Sequence, residues 1–213
     1  RIMLGGSLSL NLPYPAEWKR WPATVLFLVF AWLESAFTGA SSPAAIAGFA
    51  TAYTLITLTG MLLFGRHVWL RNGEVFTVVF GLLARFSPTE FRVRDMTVCG
   101  RCSGDCWNES GDCVDCLECF ERAAASSREI NLRPYAAGLM RTSRTSLSEV
   151  AFVLILLATV SFDGFTATSA WVWFFDNVIE WFSFYGTNAA TAVNSLGLAI
   201  AIGGFAGIYW LFM

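Results

Sequence analysis

The sequence predicts an all-α, polytopic integral membrane protein. It should have about four transmembrane helices, further interfacial or re-entrant helices, and a Cys-rich loop. Three observations carry the prediction. Hydrophobic residues make up 55% of the 213-residue chain and charged residues only 14%, whereas soluble domains carry about 25% charged residues. Apolar runs approach or exceed the roughly 20 residues needed to cross a bilayer core, and they recur along the chain. Lys and Arg are confined to a few short stretches and one hydrophilic region, with none from Glu149 onward. The mean hydropathy of +0.55 excludes a disordered chain. A net charge of −2 gives no electrostatic footprint for nucleic acid.

The chain opens at Arg1 and closes at Met213 inside an apolar run, as an internal piece of a longer protein would. The first span is read from Trp21 to about Phe37, with Lys19 and Arg20 just before it and Glu34 inside it. A break at Thr38–Ser42 leads into the second, Pro43 to Gly65, which contains no charge. Glu74 to Phe86 is apolar but short, bounded by Gly73 and Ser87-Pro88, and reads as an interfacial or re-entrant helix. The dense run from Glu149 to about Phe165 forms a further span. Trp171 to Tyr185 is mostly aromatic, and Trp and Tyr gather at headgroup level, so it reads as a helix lying in the interface. The last span, Ala189 to Met213, carries Gly203-x-x-x-Gly207 on one face, a pattern that packs partner helices closely.

The chain therefore divides into an N-terminal membrane part (1–88), a polar Cys-rich loop (89–148) and a C-terminal membrane part (149–213). Eight Arg and nine acidic residues lie between Thr89 and Ser148. Positive residues flanking spans stay in the cytoplasm. Lys19, Arg20, Arg66, Arg71 and Arg85 accordingly place the loop on the cytoplasmic side of a plasma membrane. The expected partners are the lipid bilayer and a homo-oligomer or larger membrane complex.

All six cysteines fall in the loop: Cys99, Cys102, Cys106, Cys113, Cys116 and Cys119. Cys99/Cys102 and Cys113/Cys116 are two C-x2-C pairs ten residues apart. Two such turns present four thiolates to one tetrahedral ion, so zinc is the first cofactor expected. An iron–sulfur cluster is the second choice, because Cys113-x2-Cys116-x2-Cys119 matches three positions of a cluster-binding run; the fourth position is Ala123. Three disulfides are the alternative in an oxidising compartment. Asp105, Glu109, Asp112, Asp115, Glu118 and Glu121 are interleaved with the thiols and solvate the loop.

Carboxylates within a membrane are costly and point to function. Glu34 lies roughly 20 Å along its helix from Trp21. Asp163 reaches a similar depth on the outward-going span. Asp176 and Glu180, at i and i+4, lie on the same outer side. These four form a candidate cation or proton site. His67 is the lone histidine, and no G-x-S-x-G, H-E-x-x-H or Walker sequence occurs. The catalytic residues of any hydrolytic activity are therefore not assigned.

The run Gly65–Glu90 (GRHVWLRNGEVFTVVFGLLARFSPTE) and the later Ser161–Phe165 (SFDGF) carry a resemblance. They resemble a group of bacterial polytopic membrane proteins, some of which are named fenitrothion hydrolase. The resemblance covers about half of the chain and implies a bacterial inner-membrane protein that hydrolyses organophosphate esters; it supplies no site residues. Three functional classes follow. The first is a transporter-like protein with an acidic site and a metal-binding cysteine loop, which is the reading the residues favour. The second is a membrane hydrolase, and the third a structural or assembly subunit.

Overall fold

A computed structural model describes residues 9–102, 106, 113–140 and 145–213. The chain is mostly helical. The helices are α1 (Trp21–Ser35), α2 (Pro43–Phe64), α3 (Arg66–Asn72), α4 (Val75–Leu83), α5 (Met96–Cys99), α6 (Leu117–Arg122), α7 (Leu147–Thr166), α8 (Ser169–Val178) and α9 (Ala189–Phe212). A small sheet, absent from the sequence reading, contains β1 (Thr89–Val93), β2 (Cys113–Val114) and β3 (Arg128–Leu132). Two compact units form. One is built from the described residues of Arg1–Tyr14 and Thr59–Arg144, the other from Pro15–Leu58 and Thr145–Met213.

The second unit is organised by α1, α7 and α9. Ser146 caps α7 by accepting the Glu149 N–H at 3.3 Å, which relieves one of the helix's unpaired N-terminal donors. At that same end Arg20 pairs with Glu149 at 2.9 Å, and Thr24 Oγ1 donates to the Ser148 carbonyl at 3.1 Å. The first turns of α1 and α7 therefore lie together, and the two helices run parallel. Near the far end of α1, Trp32 Nε1 donates to Ser195 Oγ at 2.9 Å and Thr38 bonds Thr191. Both partners lie in the first two turns of α9, which consequently runs antiparallel to α1 and α7.

Small residues let these helices approach closely. A Cβ added at Gly197 would sit 2.3 Å from the Trp171 ring and 2.7 Å from Phe162. Trp171 and Phe162 meet edge to face at 5.1 Å, and with Leu198 they form a buried cluster. Phe152, fully buried, meets Phe27 at 5.1 Å.

Three helical stretches are long and apolar enough to cross a membrane: α2, α7 and the helical stretch Ser169–Phe212, whose continuous α-helical part is α9. At 1.5 Å per residue they reach about 33, 30 and 36 Å, against a hydrocarbon core of about 30 Å. The first expected span is shorter than its apolar run suggested. α1 stops at Ser35 after 15 residues, about 22 Å, because the Ala36 and Phe37 N–H groups both turn back to the Trp32 carbonyl. The aromatic segment also differs from a single helix. α8 ends at Val178, and a tighter 3₁₀ stretch follows through Asn188, with Gly186 at φ +57°. Asp176 therefore lies in α8 and Glu180 in the 3₁₀ stretch that follows it.

The first unit begins with the last turn of α2. Trp69 of α3 packs over Gly60 so closely that a Cβ there would lie 2.2 Å from the indole, and Phe64 stacks on it at 6.0 Å. The short apolar stretch expected after Gly73 is α4, extended by a 3₁₀ turn at Ala84–Phe86. Its cap is the Glu74 carboxylate, which accepts from Phe76 N at 3.0 Å and Thr77 N at 2.6 Å. Beyond it, β1 is the central strand, antiparallel to β3 from Thr89↔Leu132 to Val93↔Arg128 and to β2 at Val93↔Cys113.

Candidate metal centre

The cysteines are delivered by four local structures. Asp95 caps α5, accepting the Thr97 N–H at 3.0 Å, and the helix carries Cys99 to its last position, 3% exposed. The chain then turns, with Cys102 N donating to the Cys99 carbonyl at 3.1 Å. Cys106 is tied to β2 through its carbonyl, which accepts from Val114 N at 3.3 Å. Cys113 lies on β2 opposite Val93, Cys116 precedes α6, and Cys119 sits one turn into that helix, fully buried. Asp115 occupies a left-handed conformation, φ +53°, and brings Cys113 and Cys116 onto one side of the turn. Its backbone N–H reaches the Phe91 carbonyl at 2.8 Å, fixing that turn to the sheet.

All six cysteines are free thiols in this arrangement. Two sets of four have converging sulfurs: Cys99, Cys106, Cys113 and Cys119, and Cys102, Cys106, Cys116 and Cys119. Within each set every Sγ lies within 4.8 Å of the others. The Cys102–Cys106 separation is 3.2 Å and the Cys106–Cys119 separation 3.6 Å. Either set could hold a metal ion. The thiols are themselves the core of this module, with Val93, Val98 and Ala123 around them and Phe120 packed alongside.

The cluster is electrostatically uneven. Cys116 is pulled down to about 5, chiefly by the Cys113 thiol that donates to it, then by the Cys119 N–H and the Arg71 guanidinium, while burial opposes. Burial pushes Cys106 up to about 12 and raises Cys119 as well. Cys113 is raised because its S–H donates to the Cys116 thiolate, which favours the protonated form. One thiolate is thus ready at neutral pH, and its neighbours keep their protons until something displaces them.

Charged residues that the sequence reading treated as solvating or as membrane flanks hold the module together. Arg71 on α3 donates to Cys116 Sγ at 3.5 Å and to Glu118 at 3.4 Å. Glu118, 3% exposed, also pairs with Arg122 at 2.9 Å, and Arg66 pairs with Glu121 at 2.8 Å. On the other side, Arg133 pairs with Asp115 at 2.8 Å and lies 3.6 Å from Glu90. Asp105, Glu109 and Asp112 lie outside the described residues. The spacing of Arg71 and Arg133 from the cysteines, 45 residues before Cys116 and 18 after Asp115, gave no local signal of these contacts.

The four membrane-associated acids behave differently. Parallel packing of α1 and α7 puts Glu34 and Asp163, each close to its helix C-terminus, at the same end of the second unit. Asp176 and Glu180 lie on the connection from that end to α9. All four are exposed. Among the described residues, the converging ligand sets consist of cysteines alone. Gly203 and Gly207 face open space, with no atom within 4 Å of a Cβ built at either. Comparison with protein families, curated proteins and solved structures found no match to the chain.

Proposed function

We propose that this chain is an integral membrane protein of the cell membrane whose cysteine module is a structural zinc centre on the cytoplasmic side. The observation that carries this reading is the convergence of thiols contributed by α5, the following loop, β2 and α6. Four sulfurs within 4.8 Å suit a single tetrahedral ion. An iron–sulfur cluster interposes its own iron and sulfide between the thiolates and needs them further apart. A sphere closed by four thiolates leaves no position for substrate, so the ion would organise the sheet and α6 instead of performing hydrolysis.

The basic residues around the loop support the cytoplasmic side. With α1 counted as a fourth, short span, the parallel α1/α7 pair and antiparallel α9 fit alternating crossings. The direct test is metal analysis of the detergent-purified chain with a thiol count in denaturant. Zinc with all six thiols recovered supports the reading. No metal and no free thiols would mean disulfides and an external loop, and would overturn it.

A transport role is the second reading, favoured by the placement of Glu34 and Asp163 at one end of a parallel helix pair. It predicts that Glu34→Gln and Asp163→Asn abolish proton-coupled or cation uptake in vesicles while the chain still folds. Undiminished uptake in both variants would remove it.

A further inference from the structure

The two thiol sets overlap, and the overlap has a stoichiometric meaning. Cys106 and Cys119 belong to both sets. Cys99 and Cys113 belong only to the first, Cys102 and Cys116 only to the second. Two separate four-sulfur ions would require eight donors, and this chain has six cysteines. Six donors complete two tetrahedra only when the tetrahedra share an edge. The shared edge would be Cys106–Cys119, and its observed length is 3.6 Å. For metal–sulfur bonds of about 2.3 Å, a tetrahedral edge is about 3.8 Å. The Cys102–Cys106 edge of the second set is 3.2 Å, short of that length by an amount side-chain rotation can supply.

Resting on the metal-binding reading above, we propose that the module binds two thiophilic divalent cations as a binuclear centre bridged by the Cys106 and Cys119 thiolates. Cys99 and Cys113 are the terminal ligands of one ion; Cys102 and Cys116 are those of the other. A thiolate sulfur has lone pairs enough to bridge, and bridging leaves no cysteine idle. A single ion would leave two thiols buried or half-buried without a metal. Two divalent ions and six thiolates sum to −2, and Arg71, 3.5 Å from Cys116 Sγ, lies against this charge. Loading displaces the thiol protons to solvent, so no oxidant or reductant is needed.

The test uses the full chain in detergent, reduced, stripped of metal and titrated with ¹¹³Cd. The expected result is saturation at two ions per chain, with two resonances in the range of four-sulfur cadmium. Each should be split by scalar coupling to the other through the bridging sulfurs. Cys102→Ser should lower the capacity to one ion and leave one unsplit resonance. The wild-type spectrum decides even if the variants fold poorly. One ion with a single unsplit resonance would overturn the binuclear centre and leave the metal-binding reading standing. No cadmium uptake would overturn both.

Discussion

Replacing Arg133 with alanine should loosen the cysteine module without touching a cysteine. The side chain is 7% exposed and holds four groups: Asp115 at 2.8 Å, Glu90 at 3.6 Å, and the Ser87 and Ala84 carbonyls at 3.0 and 2.8 Å. Removing one partner of a buried ion pair costs about 3–5 kcal/mol, because the other charge is left uncompensated. Glu90 keeps Arg92 at 2.8 Å, and Asp115 is a third exposed, so the lower limit applies, about 3 kcal/mol. At 1.4 kcal/mol per decade this is an opening equilibrium raised about a hundredfold. Hydrogen exchange of the β1 and β3 amides reads that opening directly. Protection in Arg128–Leu132 should fall by about two decades, and the metal affinity should fall with it through Asp115 and the turn that presents Cys113 and Cys116. Exchange within fivefold of the wild type would refute the assignment of Arg133 as the tie between sheet and cysteine turn.

Further consequences can be checked separately. Gly60→Leu drives a side chain into the Trp69 indole, 2.2 Å from a Cβ, and should destabilise by about 1–3 kcal/mol. Gly48→Leu, with nothing within 4 Å, serves as its neutral control in thermal melts. Glu149→Gln removes the carboxylate that pairs with Arg20; a double-mutant cycle with Arg20→Gln should return a coupling of about 1 kcal/mol, and zero coupling would deny the pair a role in joining α1 to α7. Metal binding should strengthen as pH rises. Cys106, Cys113 and Cys119 are held above their ordinary range and carry protons at neutral pH, whereas Cys116, at about 5, does not. Loading of both thiol sets at pH 7 therefore releases at least these three protons. Calorimetry in buffers of different ionisation enthalpy measures the number, and a release of none would contradict the thiol assignment.

The features legible in the sequence were those set by long-range composition or tight spacing. α2, α7 and α9 announce themselves as apolar runs of membrane-crossing length, and the two C-x2-C pairs mark the thiol module. The sheet was not legible. β2 is two residues long, and Arg128–Leu132 alternates between exposed and half-buried positions, so neither shows the apolar alternation that reveals a strand. The end of α1 was hidden too, because Ala36 and Phe37 are apolar and only their backbone bonds to Trp32 turn the chain away. The change from α8 to a 3₁₀ stretch after Val178 carries no mark in the aromatic composition of this segment. The overlap of the two thiol sets depends on the position of Cys106 beside Cys119 of α6, 3.6 Å between sulfurs. Spacing marks Cys99/Cys102 and Cys113/Cys116 as pairs, whereas Cys106 and Cys119, outside those pairs, are the two that both sets share.

The most direct test of the central claim is X-ray absorption at the zinc edge of the purified chain. A metal-organised thiol module predicts a first shell of four sulfurs at about 2.3 Å with no nitrogen or oxygen. A shell containing oxygen or nitrogen ligands, or a protein without zinc whose sheet exchanges as slowly as that of the loaded one, would contradict it.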